Sequence, residues 1–439
     1  MLVRIKLTAA VLLLSVLFLC SCGESPAGTG DDTSVTTAEV PAVPEYSAEL
    51  CGLWVATVMN ISFPSRTGLS AKALRSEIDD IVDTALTLGA NALFFQVRGA
   101  GDAYYRSDIF PTSKYLVENE GDPLPDGFDP LEYLVMAAHS AGIAVHAWVN
   151  PLRAAIGVGS TEELAENNPA RLHPEYAVKY ADGRYYYDPG LPEVRELIAD
   201  GVSEIVTNYD VDGVVFDDNF YPYPVTGSDG EIAVFDDAGT YSEYGGEDVS
   251  LGDFRRRSVN EMIHASYDAV KFARPGCLFG VAPAGIWKNG TGGGDGSATR
   301  GMSSYHDIFC DSLAWVEGGY VDYLAPQIYW SFDSERAPFE ELCLWWNDAL
   351  EGSGVTYYIS YAAYRYEDDW EDPQGEMTNQ IALAREQKNY RGGAFYGYNQ
   401  IRDNINGVAD ELTSAFSCKL RYRTDADGSD GGGSTPEGT

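Results

Sequence analysis

From residue 52 onward, eight short apolar runs alternate with eight amphipathic stretches, and few folds accept that rhythm. The runs lie at 52–58, 92–97, 143–149, 213–217, 278–282, 323–328, 356–360 and 393–398. They are rich in β-branched and aromatic residues, as strands are. Between the first two, Leu74, Ile78, Ile81, Val82, Ala85 and Leu88 recur at helical spacing. Asp129-Pro130 followed by Glu132 predicts an N-cap, a proline in the first turn and a capping acid. Val194, Leu197, Ile198, Val202, Ile205 and Val206 mark a third helix, and further helices fit 254–272, 305–317, 338–350, 377–388 and 403–415. Eight strand–helix pairs predict an α/β fold, a (β/α)8 TIM barrel. The helix-to-strand turns at 88–91, 141–142 and 390–393 are short and contain glycine. The strand-to-helix connections after the second, third, fourth and fifth runs are long. Long loops on one face predict a site at the strand C-termini. An open doubly wound sheet is the runner-up, but no Gly-x-Gly-x-x-Gly turn follows the first run.

The chain ends read differently. Residues 1–21 have Arg4 and Lys6 before an apolar run from Leu7 to Leu19, the pattern of an export signal. The run closes on Leu19-Cys-Ser-Cys22, which reads as a lipobox with Cys22 as the lipidated residue. An ordinary signal peptide is the simpler alternative. The expectation is export and a lipid anchor in the cell envelope. Gly23, rather than Asp, after Cys22 favours the outer membrane if the cell is Gram-negative. Residues 22–46 and 421–439 are poor in large apolar residues and read as a tether and an acidic Gly/Ser tail. Residues 47–420 then form the barrel domain, long enough for one large core.

The net charge of −38 argues against nucleic-acid binding, which needs a basic face. It also argues against electrostatic capture by anionic lipid. Past Cys22, the residues Cys51, Cys277, Cys310, Cys343 and Cys418 match no zinc spacing and read as buried thiols. The histidines His139, His146, His173, His264 and His306 form no metal motif; His146 reads as a hydrogen-bonded core residue. No cofactor or metal is expected, and neither a Gly-x-Ser-x-Gly elbow nor a phosphate loop is present.

The strand ends carry a polar and aromatic ring. Gln96 and Arg98 end the second run, Trp148 and Asn150 the third, with Arg153 beyond. Asp217-Asp218-Asn219 end the fourth, with Tyr221 and Tyr223 after them. Trp287 follows the fifth; Gln327, Tyr329 and Trp330 end the sixth. Tyr361 and Tyr364 follow the seventh, and Tyr396 and Tyr398 close the eighth. Flat aromatic faces accept pyranose C–H groups, and amides, guanidinia and carboxylates pair with hydroxyls. The expected sugar contacts are Gln96, Arg98, Asn150, Arg153, Tyr221, Trp287, Gln327, Tyr329, Trp330, Tyr361 and Tyr398. Glycoside hydrolysis commonly uses two carboxylates. Asp217, two residues after Val215, shares the inward face of a regular strand. Asp218 is the favoured second acid, Asp311 the reserve, and Asp333 and Glu335 are weaker. A purely structural alternative has Asp218 orienting Arg98 or Arg153.

These motifs resemble a known group. Gly52-Leu-Trp-Val55, Gly89-Ala-Asn-Ala-Leu-Phe-Phe-Gln-Val-Arg98, Ala147-Trp-Val-Asn-Pro151, Asp212-Gly-Val-Val-Phe-Asp-Asp218 with Tyr221-Pro222, Gly285-Ile-Trp287 and Asp322-Tyr-Leu-Ala-Pro-Gln-Ile-Tyr-Trp330 are similar to the glycosyl hydrolase-like 10 family. The resemblance implies a barrel and an exported, often lipid-anchored hydrolase; peptidoglycan glycan strands stripped of stem peptides are among the substrates of such relatives. The fourth run also resembles family 18 chitinases, but aligned on Asp212-Gly213 their catalytic Glu falls on Asn219 and one Asp on Val215, so the resemblance does not imply substrate-assisted catalysis of that type. It resembles the α-amylases too, whose nucleophilic Asp falls on Asp217 and whose strand-five acid has no counterpart in Gly280-Val-Ala-Pro283. The expected function is a lipid-anchored glycoside hydrolase acting on a polysaccharide. The alternative is a non-catalytic carbohydrate-binding surface lipoprotein.

Overall fold

The computed structural model describes residues 49–227, 230–367, 370 and 373–416. The expected signal, Cys22, both tails and Cys418 lie outside the described residues. Among the described residues, eight parallel strands close into a barrel in sequence order. They are β1 (Leu50–Val55), β2 (Ala92–Arg98), β3 (Ala144–Val149), β4 (Gly213–Phe216), β5 (Leu278–Val281), β6 (Tyr323–Leu324), β7 (Thr356–Ala362) and β8 (Tyr390–Tyr396). A helix follows each: α1 (Ala71–Leu88), α2 (Pro130–Ser140), α3 (Pro192–Asn208), α4 (Leu251–Ala273), α5 (Ser312–Gly318), α6 (Phe339–Ala349), α7 (Glu376–Arg385) and α8 (Val408–Ala415). The (β/α)8 fold is therefore as expected.

Side-chain alternation divides the core in two. Leu53, Val55, Leu93, Phe95, Val145, Val214 and Phe279 face the helices. Trp54, Phe94, Trp148, Val215, Tyr323 and Tyr358 fill the barrel. Glycines beside three of the barrel rings help make this filling possible. A Cβ at Gly52 would stand 2.5 Å from the Phe94 ring, one at Gly213 2.5 Å from His146, and one at Gly280 2.1 Å from Tyr323. His146 stacks on Phe94 at 4.8 Å, and its Nδ1 lies 2.8 Å from the Tyr323 hydroxyl. Burial lowers its pKa to about 4, so it is a neutral core residue at physiological pH.

The lower rim, at the strand N-termini, is held by side chains that precede alternate strands. Asn91, before β2, accepts from Cys51 N at 2.9 Å. Asp212, before β4, accepts from Val145 N at 2.8 Å and lies 2.8 Å from His139 Nε2. Asp322, before β6, accepts from Phe279 N at 2.6 Å and pairs with Lys271 at 2.7 Å. Each satisfies a strand-start amide that the barrel leaves without a backbone partner.

The upper rim carries the long connections. The one between β3 and α3 builds a small antiparallel sheet from Arg153–Ala155, Ala177–Lys179 and Tyr185–Tyr187. The described part of the acidic stretch, 230–248, contributes the helix Ala238–Tyr244 and is pinned by Asp237, whose two oxygens accept from Arg255 Nε at 2.7 Å and Nη2 at 2.6 Å. Several element bounds differ from expectation. The run 323–328 is regular only over Tyr323–Leu324, because Pro326 has no N–H to donate; single bridges at Gln327 continue it. The helix expected over 305–317 is split into Ser304–Asp307 and Ser312–Gly318 by Phe309, whose φ is +55°. The last helix starts only at Val408, after Asn404 and Asn406 with φ near +50°.

Candidate active site

A cleft with a cavity volume of about 340 Å³ opens at the upper rim. Its carboxylates, among the described lining residues, are Asp217 and Asp218. β4 ends at Phe216, so Asp217 continues the inward face of Val215, while Asp218 begins the loop and turns to the same space. Both are 5 % exposed, which makes their charge expensive.

Asp217 is held by three N–H groups. Asn219 N donates to Oδ1 at 3.1 Å, Asn219 Nδ2 donates to Oδ2 at 2.9 Å, and Asn150 Nδ2 donates to Oδ2. Behind Asn150, the Gln96 amide donates to Asn150 Oδ1, and Gln96 Oε1 accepts from Thr57 N at 2.8 Å and Val58 N at 2.9 Å. One chain of hydrogen bonds thus runs from the β1 loop through the ends of β2 and β3 to the acid on β4. Arg153 donates to Asn219 Oδ1 at 2.6 Å and Gly99 O at 3.0 Å, fixing the other side. Asp218 Oδ2 accepts from the Tyr223 hydroxyl, and the Gln327 amide also bonds to Asp218. Tyr223 sits between Pro222 and Pro224, which restrict the loop that carries it.

Burial raises the pKa of Asp217, the charge of Asp218 raises it further, and Arg153 and the Asn219 donors oppose. Burial raises Asp218 as well, against the bonds from Tyr223 and Gln327. The pair therefore binds protons above the ordinary carboxylate range.

Aromatic faces enclose the acids. Trp54 and Trp148 meet edge to face at 5.1 Å on the cleft floor, and Tyr329 stacks parallel to Tyr396 at 6.2 Å. Met59 and Ile61, 57 % and 46 % exposed, stand at the mouth. Such apolar surface suits the C–H faces of a sugar.

Of the residues expected at the site, the structure brings Gln96, Asn150, Arg153, Asp217, Asp218, Gln327 and Tyr329 to the cleft lining. The others lie elsewhere. Register shifts in β2 between Gln96 and Arg98, so Arg98 leaves the inward face. Its fully buried guanidinium packs over Phe110 at 3.9 Å and against Gly201 of α3. Tyr221 packs edge-on to Phe235 and Phe309. Trp287 stacks on Trp345 and donates to Asp311 at 3.2 Å, outside the cleft lining. Trp330 packs above Gly285. Tyr361 faces the helix layer, stacked between Phe339 and Phe395. Gly397, with φ of +128°, ends β8, so Tyr398 starts a short helix rather than the strand end. Asp333 and Glu335 are exposed and away from the cleft lining. The cleft also uses Trp148, Asn219, Tyr223 and Tyr396, which belong to the strand-end ring read from the sequence, and Trp54 and Arg184, which do not. Inward alternation along β1, β3 and β8 signals Trp54, Trp148 and Tyr396. Arg184 arrives on a turn of the small sheet and leaves no periodic signal. No group of three or more metal-ligating side chains is found among the described residues.

Residues 49–374 match the model of the glycosyl hydrolase-like 10 family. The chain is 35% identical to Glycosyl hydrolase YngK of Bacillus subtilis (strain 168) over 394 residues, 88% of this chain and 75% of that one. It is 35% identical to Glycosyl hydrolase DigH of Escherichia coli (strain K12) over 400 residues, 85% of this chain and 88% of that one. In fold it resembles the PgaB glycoside hydrolase domain of Bordetella bronchiseptica, with a TM-score of 0.53 at 13% identity over 83% of this chain and 99% of that one. It also resembles the endo-β-1,4-mannanase of Thermotoga petrophila, with a TM-score of 0.51 at 12% identity over 87% of this chain and 78% of that one.

Proposed function

The chain belongs to the glycosyl hydrolase-like 10 family, and from that premise we propose that it is an active glycoside hydrolase of the cell envelope. Its substrate is a carbohydrate polymer, with peptidoglycan glycan strands the leading candidate. One observation carries the catalytic reading: two buried carboxylates stand together on one wall of an aromatic cleft at the upper rim. Fixed N–H donors orient one acid, and burial favours a proton on the other. Protonation of a leaving glycosidic oxygen needs such a proton-retaining carboxyl. The lipid anchor at Cys22 and export are part of the same reading, supported by the apolar leader and the lipobox. The test is incubation with peptidoglycan stripped of stem peptides and with neutral polysaccharides, with products read by mass spectrometry. Shortened glycans from the native protein, and none from Asp218→Asn, are expected. Calorimetric binding with no product from any glycan would favour the carbohydrate-binding alternative, which the absence of a carboxylate at the end of β5 keeps open.

A further inference from the structure

We propose that the nucleophile at this cleft is the substrate's own 2-acetamido group, with Asp217 holding its N–H and Asp218 serving as acid and then base. This rests on the hydrolase reading above and specifies how the site would work and on which sugars.

The first observation is where the acids stand. A nucleophile and an acid must reach the anomeric carbon from opposite sides of the ring when both are enzyme carboxylates. Asp217 and Asp218 are consecutive residues at one strand end, and no other carboxylate belongs to the described cleft lining. Asp311 is engaged by the Trp287 indole, outside that lining. The rest of the lining includes Tyr329 and Tyr396, and β5 is followed by Ala282 and Pro283. The attacking atom is therefore supplied by the sugar.

The second observation is how Asp217 is held. Both of its oxygens already accept N–H groups, two on Oδ2 and one on Oδ1. Attack on carbon would have to break this arrangement. A further N–H at the vacant lone pair of Oδ1 would complete it. Asp218 is different: its side-chain partners are a hydroxyl, from Tyr223 on Oδ2, and the Gln327 amide.

The third observation is a set of unused donors. Trp54 and Trp148 are 3 % and 7 % exposed, they line the cleft floor, and neither indole N–H has a partner. Buried donors of this kind are normally satisfied. With Ala56 and Tyr396 on the same lining, they offer apolar surface beside two unpartnered indole donors. An acetamido group fits it, with a methyl for the apolar faces and neighbouring sugar oxygens for the indoles.

The steps balance. The acetamido carbonyl oxygen bonds to the anomeric carbon as the glycosidic C–O bond breaks, and Asp218 gives its proton to the departing oxygen. Asp217 accepts the hydrogen bond of the amide N–H, which grows more acidic as the oxazolinium ring forms. Asp218, now a carboxylate, takes a proton from water as the water oxygen bonds to the anomeric carbon. The ring C–O bond breaks and the acetamide is restored. One water is consumed, and configuration is retained.

The test uses the native chain and a series of aryl glycosides of one N-acetylhexosamine oligosaccharide. The sugar at the cleavage point carries an acetyl, fluoroacetyl, difluoroacetyl or trifluoroacetyl group. Fluorine weakens the carbonyl oxygen as a nucleophile, so kcat/KM should fall stepwise, by about 100-fold or more at the trifluoroacetyl end. Proton NMR of the first product should show a retained anomer. Turnover that varies less than about threefold across the series, or an inverted product, overturns this mechanism and leaves the hydrolase reading standing. Absence of turnover on every glycan, including those of the previous section, overturns both.

Discussion

At the scale of single residues, Asp218 links chemistry to stability. Its raised pKa means the folded protein holds a proton that the unfolded chain releases at lower pH. Stability is therefore lost as pH rises from the ordinary carboxylate range through the raised folded value. Replacing Asp218 by Asn removes the buried charge and leaves an oxygen for Tyr223. Asp218→Asn should melt at a higher temperature than the native protein at pH 7, and calorimetry at pH 3 should find the gap closed. The same substitution should lower kcat/KM on a cleaved glycan by about 10²–10⁴-fold. Activity should also decline on the alkaline side as the pair loses its proton, with the limb above the ordinary carboxylate range. Much of the site could be read from the chain at this scale. Asp217 and Asn150 follow from alternation along strands regular up to the residue before them, and Gln327 keeps the phase of Tyr323 and Ala325 although its strand stops at Leu324. Arg98 and Tyr398 do not, because one shift of register and one glycine redirect them, and neither leaves a mark in hydrophobic periodicity.

At the scale of elements, Gln96 and Asn150 take on a role different from the expected one. Their amide groups are spent on Thr57, Val58, each other and Asp217, so they are positioning residues. Gln96→Leu should lower kcat by about 10–100-fold with KM changed less than twofold, because an orienting contact is lost and a sugar contact is not. It should also cost about 1–3 kcal/mol in urea unfolding, since two strand-end amides lose their acceptor. The lower rim supplies a second case. Asp212 has its pKa lowered: burial pushes it up, but His139 and the Val145 amide outweigh that. Its contribution is complete above the unfolded carboxylate value and lost as pH falls through the lower folded value. Asp212→Ala should destabilise by about 1–3 kcal/mol at pH 7 and less under acid, which urea melts across pH can measure. The elements themselves were legible because eight apolar runs are hard to arrange otherwise. Their ends were not, since Pro326 and the left-handed Phe309 act through backbone geometry.

At the scale of the whole molecule, the architecture separates duties. Short turns and side-chain bonds close the lower rim, and long connections gather the acids, amides and aromatic faces on the upper rim. The proposed lipid anchor at Cys22 concerns the chain as a unit. Cys22→Ser should move the exported protein from the membrane to the soluble fraction and abolish labelling by radioactive palmitate, with the melting temperature of the barrel unchanged.

The bonds at the strand starts recur before β2, β4 and β6, at Asn91, Asp212 and Asp322, and couple β1 to β2, β3 to β4 and β5 to β6. A ring fastened two staves at a time has joints of two kinds. Hydrogen exchange should therefore be slowest at the amides of Cys51, Val145 and Phe279, the clasped members of each couple. Excision or exchange of upper loops should leave that slow set intact, so the barrel can accept new loops while its rim records whether it has held.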